Sequence, residues 1–170
     1  SAGIFMPEAG SVKTPGAVKE LRKKVPKDFT GKSGIAHLRW ATHGEPNEAN
    51  AHPHSDSKGE IWVVHNGIIE NWQQLKKTLA KKGHTFVSDS DTEVIPHLIE
   101  EHLKVKKTFE KAALAALNDL RGTYGIAMQY KGEPDKLIAA RMGSPIVIGL
   151  GDGENLIASD PSPLIPHPKD

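Results

Sequence analysis

Cysteine is absent from all 170 residues, which excludes disulfides, thiolate metal sites and a cysteine nucleophile within them. No apolar run approaches the roughly 20 residues that cross a bilayer. The N-terminus lacks a basic region followed by an apolar stretch and a small-residue cleavage site, so a cytoplasmic protein is expected. Charge of one sign is also lacking. Lys and Arg number 22 against 21 Asp and Glu, a net charge of +1, so no overall field draws nucleic acid or an anionic membrane, and neither is expected as a partner. No HExxH is present, no internal repeat and no low-complexity segment. What remains is 37% apolar and 25% charged, the balance of one globular domain.

Periodicity places the elements. Pro15 opens a helix on Val18, Leu21 and Val25 that ends before Pro26; its Arg22-Lys23-Lys24 run reads as solvated surface. Residues 1–5 read as the tail of a strand. Residues 33–40 and 60–65 are β-branched and apolar and read as strands joined by a long polar loop of the kind that tends to be functional. Residues 71–82 carry Trp72, Leu75 and Leu79 on one helical face, with Gly83 as the stop. Residues 85–88 are a short strand candidate. Behind a capping box of Ser90 with Glu93, residues 91–104 repeat with helical period, although Pro96 is expected to kink this helix or delay its start. Thr108 caps a helix whose stripe is Phe109, Ala112, Ala113, Ala116, Leu117 and Leu120. Strands follow over 124–130, 137–141, 146–150 and 155–159, spaced closely enough to be antiparallel. This order argues for an α+β fold. The domain is expected over 1–160, with Pro161, Pro163, Pro166 and Pro168 ending it in an irregular tail over 161–170.

Single residues each carry two readings. Arg39, at a strand end, can grip a carboxylate bidentately or make a casual surface pair. His65-Asn66-Gly67 follows an apolar run, so Asn66 and Gly67 emerge at the strand end, where a side-chain amide and a backbone N–H can point at a developing oxyanion; Asn-Gly is equally a common turn. Asp91 can bind an ammonium group or favour the start of a helix. His52-Pro53-His54 is the densest part of nine histidines, but alternate residues of an extended strand face opposite ways and no carboxylate stands at a familiar ligand spacing, so no metal is expected there. Residues 149–153 are glycine-rich but lack the phosphate loop's Lys-Ser/Thr, and read as a turn.

The ordered set says more than any member of it. Residues 34–46 (GIAHLRWATHGEP), 50–54 (NAHPH), 65–71 (HNGIIEN) and 90–93 (SDTE), continuing through Leu120-Arg121-Gly122 and Gly143-Ser144-Pro145 to Ala158-Ser159-Asp160, closely resemble the glutaminase domain of the glutamine-fructose-6-phosphate amidotransferase (glucosamine-6-phosphate synthase) family. The resemblance covers nearly the whole chain. Its Asn-Gly and Ser-Asp-Thr-Glu elements also recur in other N-terminal-nucleophile amidotransferases, such as amidophosphoribosyltransferase, which stands as an alternative; the 39–44 and 50–54 runs favour the hexosamine branch.

The resemblance implies an αββα sandwich of largely antiparallel sheets, as in N-terminal-nucleophile hydrolases. It implies that Arg39 holds the α-carboxylate of glutamine, with Thr42 and His43 at the same end of the pocket, and that Asp91 takes the α-ammonium. Asn66 and Gly67 would form the oxyanion hole, and Trp40 would gate ammonia. No metal or organic cofactor is implied. The family's nucleophile is an N-terminal cysteine that forms a thioester and frees ammonia. Because Ser1-Ala2-Gly3 resembles the family's second strand, the expectation is an internal fragment, incomplete at both ends. Its parent would be a homo-oligomer with separate sugar-isomerase domains for fructose 6-phosphate, and the fragment itself would be inactive. Two alternatives stand beside this: a non-catalytic glutamine-binding or regulatory module, and catalysis by Ser1 at a free terminus.

Overall fold

The structure, a computed structural model, describes residues 1–39 and 47–165. The chain opens on a hairpin, β1 (Ala2–Met6) and β2 (Gly10–Thr14), followed by α1 (Val18–Lys24) and β3 (Ile35–Leu38). β1 lies between the other two in an antiparallel sheet of order β2-β1-β3. β4 (His54–Ser55), β5 (Ile61–Ile69), β6 (Gly122–Tyr130) and β7 (Leu137–Met142) form a second antiparallel sheet in that order. Inserted between β5 and β6 are α2 (Trp72–Lys81), a 3₁₀ turn (Asp91–Glu93), α3 (Val94–Leu103) and α4 (Phe109–Asp119). A hairpin of β8 (Val147–Leu150) and β9 (Asn155–Ala158) and a 3₁₀ turn (Ser162–Leu164) complete the described chain.

These elements stack in four layers. α1 lies on β1 and β2, β3 faces β5 and β6, and α3 covers the far side of β5 while packing against α2 and α4. The main core sits between the second sheet and the helices. It joins Ile61, Val63, Ile69, Ile126 and Met128 to Ile95, Ile99, Phe109, Ala112 and Ala116, all essentially inaccessible to water. Strand alternation turns the intervening residues the other way. Val64, with Trp62 and Ala127 beside it, meets Phe5 and Ile35 of the first sheet in a smaller core, where Phe5 and Trp62 stack with ring centroids 4.5 Å apart.

Four local expectations fail for identifiable reasons. Asn66 and Gly67 do not leave the strand end or make a turn. They are interior to β5, opposite Gly125 and Tyr124, because β6 offers a partner over the whole length of the strand. Residues 85–88 form no strand, since the backbone N–H groups of Val87 and Ser88 donate to the Glu93 carboxylate at 2.8 Å each. That use of Glu93 also undoes the expected capping box: Ser90 alone caps the turn, its Oγ accepting from Thr92 N–H at 3.3 Å. Pro96 does not delay the helix past itself: α3 begins at Val94, and Pro96 falls in its first turn, where its missing N–H has no helical acceptor to satisfy. The short strands β2 and β4 went unread.

Candidate active site

At the edge where the two sheets meet lies a cavity of about 180 Å³, lined by the consecutive residues 37–39 at the end of β3, by His52, by 65–67 of β5 and by 90–92 of the 3₁₀ turn. Four sequence-distant segments therefore converge, and Arg39, Asn66, Gly67 and Asp91 all stand in its wall. Trp40, Thr42 and His43 lie outside the described residues.

Each wall residue is held from behind. Arg39 is nine-tenths buried, and its backbone extends the β1–β3 ladder, with Arg39 N–H donating to Ser1 O at 2.8 Å and the Ser1 amino group donating to Arg39 O at 3.1 Å. Ser1 is thus tied to Arg39 just outside β1, and it is not among the residues lining the cavity. Asp91 is buried, and its Oδ2 accepts from Ile69 N–H at 2.8 Å, which ties the 3₁₀ turn to the end of β5. The cap made by Ser90 fixes the turn that presents Asp91.

The β5 segment is arranged for donation. His37 Nε2 lies 2.8 Å from Asn66 Oδ1; with the imidazole donating there, the Asn66 amide keeps its two N–H donors for another partner. Gly67 has φ of +129°, and a Cβ at this position would stand 2.1 Å from Thr123 O. Only glycine fits a strand that bends here against its neighbour. His65 braces the bend from the opposite face. Thr123 O, 3.3 Å from His65 Nε2, can only accept, so Nε2 carries the proton and Nδ1 accepts from Thr92 Oγ1 at 2.9 Å.

Neutral imidazoles line this side of the protein. Burial lowers the pKa of His37, of His65 and, well below the usual histidine value, of His52. Burial, reinforced by the Lys13 charge, pushes His54 down to about 3. His52 stacks on His37 at 4.3 Å and meets His54 edge to face at 4.8 Å. The two histidines of the 52–54 run therefore do not face opposite ways, because only His54 belongs to a strand. Sequence reading singled out neither His37 nor His65 for what they do here. Their signal was position: His37 stands two residues before Arg39, and His65 directly precedes Asn66.

A cavity with a buried guanidinium, a buried carboxylate, a braced side-chain amide and a strand bend suits a zwitterion whose remaining group accepts hydrogen bonds. The Glutamine amidotransferase domain pattern matches residues 37–165. The chain is 51% identical over 164 residues to the glutamine–fructose-6-phosphate aminotransferase (isomerizing) of Pyrococcus horikoshii, covering 94% of this chain and 27% of that protein. It is 57% identical over 136 residues to the enzyme of that name from Escherichia coli, covering 80% of this chain and 22% of that protein. It thus spans about a quarter of the length of these relatives. Among solved structures, a B. subtilis glutamine phosphoribosylpyrophosphate amidotransferase with ADP and GMP bound superposes with a TM-score of 0.75 at 27% identity, covering 95% of this chain and 36% of that one. An allosteric regulatory enzyme of purine biosynthesis matches with a TM-score of 0.75 at 26% identity. Among the described residues no helix is long and apolar enough to cross a membrane.

Proposed function

The chain belongs to the glutamine amidotransferase domain family, and from that premise we propose that the cavity holds glutamine by its amino-acid end while Asn66 and Gly67 meet its side-chain amide. Arg39 grips the α-carboxylate bidentately, Asp91 takes the α-ammonium, and the Asn66 amide and the Gly67 N–H donate to the carbonyl oxygen. When a nucleophile attacks that carbon, negative charge grows on the same oxygen, and each preorganised donor stabilises it by about 3–4 kcal/mol. His37 keeps the Asn66 amide turned the useful way. The nucleophile is not a cysteine of these 170 residues, so what they contribute is binding, orientation and oxyanion stabilisation.

For the whole protein, the names of the relatives support transfer of the released nitrogen to fructose 6-phosphate, giving glucosamine 6-phosphate and glutamate. The phosphoribosylpyrophosphate amidotransferase and the enzyme of purine biosynthesis share the fold, but their identity is about half that of the aminotransferases, which favours the sugar acceptor. The observation that carries the proposal is the convergence of Arg39, Asn66, Gly67 and Asp91 on one cavity. Calorimetric titration of the chain with L-glutamine, and with 4-carbamoylbutanoate, which lacks only the α-ammonium, tests it. Saturable binding of glutamine and at least tenfold weaker binding of the analogue are expected; equal affinity, or no binding of glutamine, would overturn the assignment.

A further inference from the structure

On the helix side of the molecule, away from the glutamine cavity, two imidazoles and a carboxylate point at one another. His84 follows α2, and His97 and Glu100 share a face of α3, one turn apart. All three are at least nine-tenths buried. One ligand-capable atom from each lies within 4.8 Å of the others. His84 Nδ1 is 3.1 Å from His97 Nδ1 and 3.2 Å from Glu100 Oε2, and His97 Nδ1 is 4.0 Å from that same oxygen.

Both outer nitrogens face carboxylates. His84 Nε2 faces Glu101 Oε2 at 3.1 Å, a contact that is favourable only if Nε2 carries a hydrogen. His97 Nε2 lies 3.7 Å from Glu93 Oε1, the carboxylate on its outer side, and is buried without a hydrogen bond. Neutral rings with the hydrogen on Nε2 turn both Nδ1 lone pairs inward, toward each other and toward a carboxylate oxygen. Three acceptors then meet, and the nearest donor, the Ser57 hydroxyl 3.3 Å from His97 Nδ1, serves only that one nitrogen. Glu100 Oε2, inaccessible to water, makes no hydrogen bond, so a proton on one imidazole would satisfy one line of the triangle and leave this oxygen unserved.

We propose that this triangle is a divalent-cation site, of the class that zinc fills, with His84 Nδ1, His97 Nδ1 and Glu100 Oε2 as ligands. Tetrahedral zinc with two imidazoles and a carboxylate sets its ligand atoms about 3.3–3.4 Å apart; the two edges at His84 are near this, and the His97 Nδ1–Glu100 Oε2 edge of 4.0 Å shortens when the cation binds. Ser57 Oγ, 3.3 Å from His97 Nδ1, borders the remaining position, which it or a water completes. Glu101 and Glu93 stand behind the two rings as the carboxylate partners that orient ligating histidines. The expectation from sequence of no metal is thereby replaced at a site where the His97-x-x-Glu100 spacing was the overlooked signal. The cation pins the 83–90 connection to α3, and that connection leads directly into the Ser90 cap and Asp91.

The test needs no knowledge of the natural ion. The chain is freed of metal with a chelator, dialysed, and titrated with cobalt(II) and then zinc(II), following the visible absorption of tetrahedral cobalt and the thermal midpoint. One equivalent of cobalt should give tetrahedral bands that zinc displaces, and zinc should raise the midpoint. Glu100→Gln, which keeps the size and lowers the donor strength, should weaken cobalt binding at least tenfold, and His84→Ala should abolish the bands, whereas His102→Ala, at the exposed His102–Asp119 pair on the other face of α3, should leave them unchanged. Absence of tetrahedral bands in the unsubstituted chain, or bands that survive His84→Ala and Glu100→Gln, would overturn the proposal and leave a proton shared by the two imidazoles.

Discussion

The two faces of the β5–β6 pair differ in almost every respect. Toward the helices, Ile61, Val63, Ile69, Ile126 and Met128 make a dry apolar layer closed by α3 and α4. Toward the first sheet, Val64 and its few apolar neighbours give way within two residues to Asn66 and the cavity. His65 lies between, its side chain on the core-facing parity of the strand yet hydrogen-bonded at both nitrogens. With the cavity holding glutamine as proposed, the difference teaches that stability and ligand binding are divided between opposite faces of one strand. The largely apolar face holds the strand in place, while the other turns the Asn66 amide toward a cavity with its oxygen anchored by His37.

Substitutions on the two faces should therefore fail in different ways. Ile126→Ala should have the largest effect, a loss of about 2–5 kcal/mol in chemical denaturation through the cavity it opens, with glutamine affinity of the folded fraction unchanged; a smaller loss joined to weakened binding would break the division of labour. Gly67→Ala comes next, at about 1–3 kcal/mol, because the new Cβ meets Thr123 O and the backbone sits at positive φ. Since the strand must move to accept it, glutamine binding should fall as well, making Gly67 the one position where both faces suffer together.

Acid should produce the smallest change near neutrality. His37, His52, His54 and His65 have pKa values lowered by burial in the folded state, so the unfolded chain binds more protons and stability rises with pH through this range. Their contribution is fully present above the ordinary histidine value of about 6.5 and is lost as pH falls toward their folded values, about 3 for His54. Thermal midpoints followed downward from pH 7.5 should begin to fall near pH 6.5, before carboxylates titrate; a flat profile to pH 5 would contradict the neutral imidazole cluster.

The helices were legible because their signals are local. Residues 71–82 were read for a helix found at Trp72–Lys81, and Thr108 was read as the cap it is, its Oγ1 accepting from Lys111 N–H at 3.4 Å. The errors fall where a distant partner decides. Asn66-Gly67 has a strong local preference for a turn, overridden by β6 some 58 residues away in the pairing of Asn66 with Gly125 and Gly67 with Tyr124. Residues 85–88 have strand-forming composition but find their hydrogen bonds on Glu93. Of the cavity, Arg39, Asn66, Gly67 and Asp91 were named from the ordered motifs, while the bracing roles of His37, His65 and Thr92 depend on contacts that no spacing reveals.

The assignment of the cavity to glutamine, on which the division between the faces rests, is tested most directly by Asp91→Asn. The amide oxygen can still accept from Ile69 N–H, so the variant removes a charge from the cavity while keeping the fold. Calorimetric titration with L-glutamine, run beside a thermal melt, should show affinity lowered at least tenfold, in line with about 1.5–3 kcal/mol for a charge-assisted hydrogen bond, and a midpoint close to that of the unsubstituted chain. Unchanged affinity for glutamine in a folded Asp91→Asn protein would contradict the account.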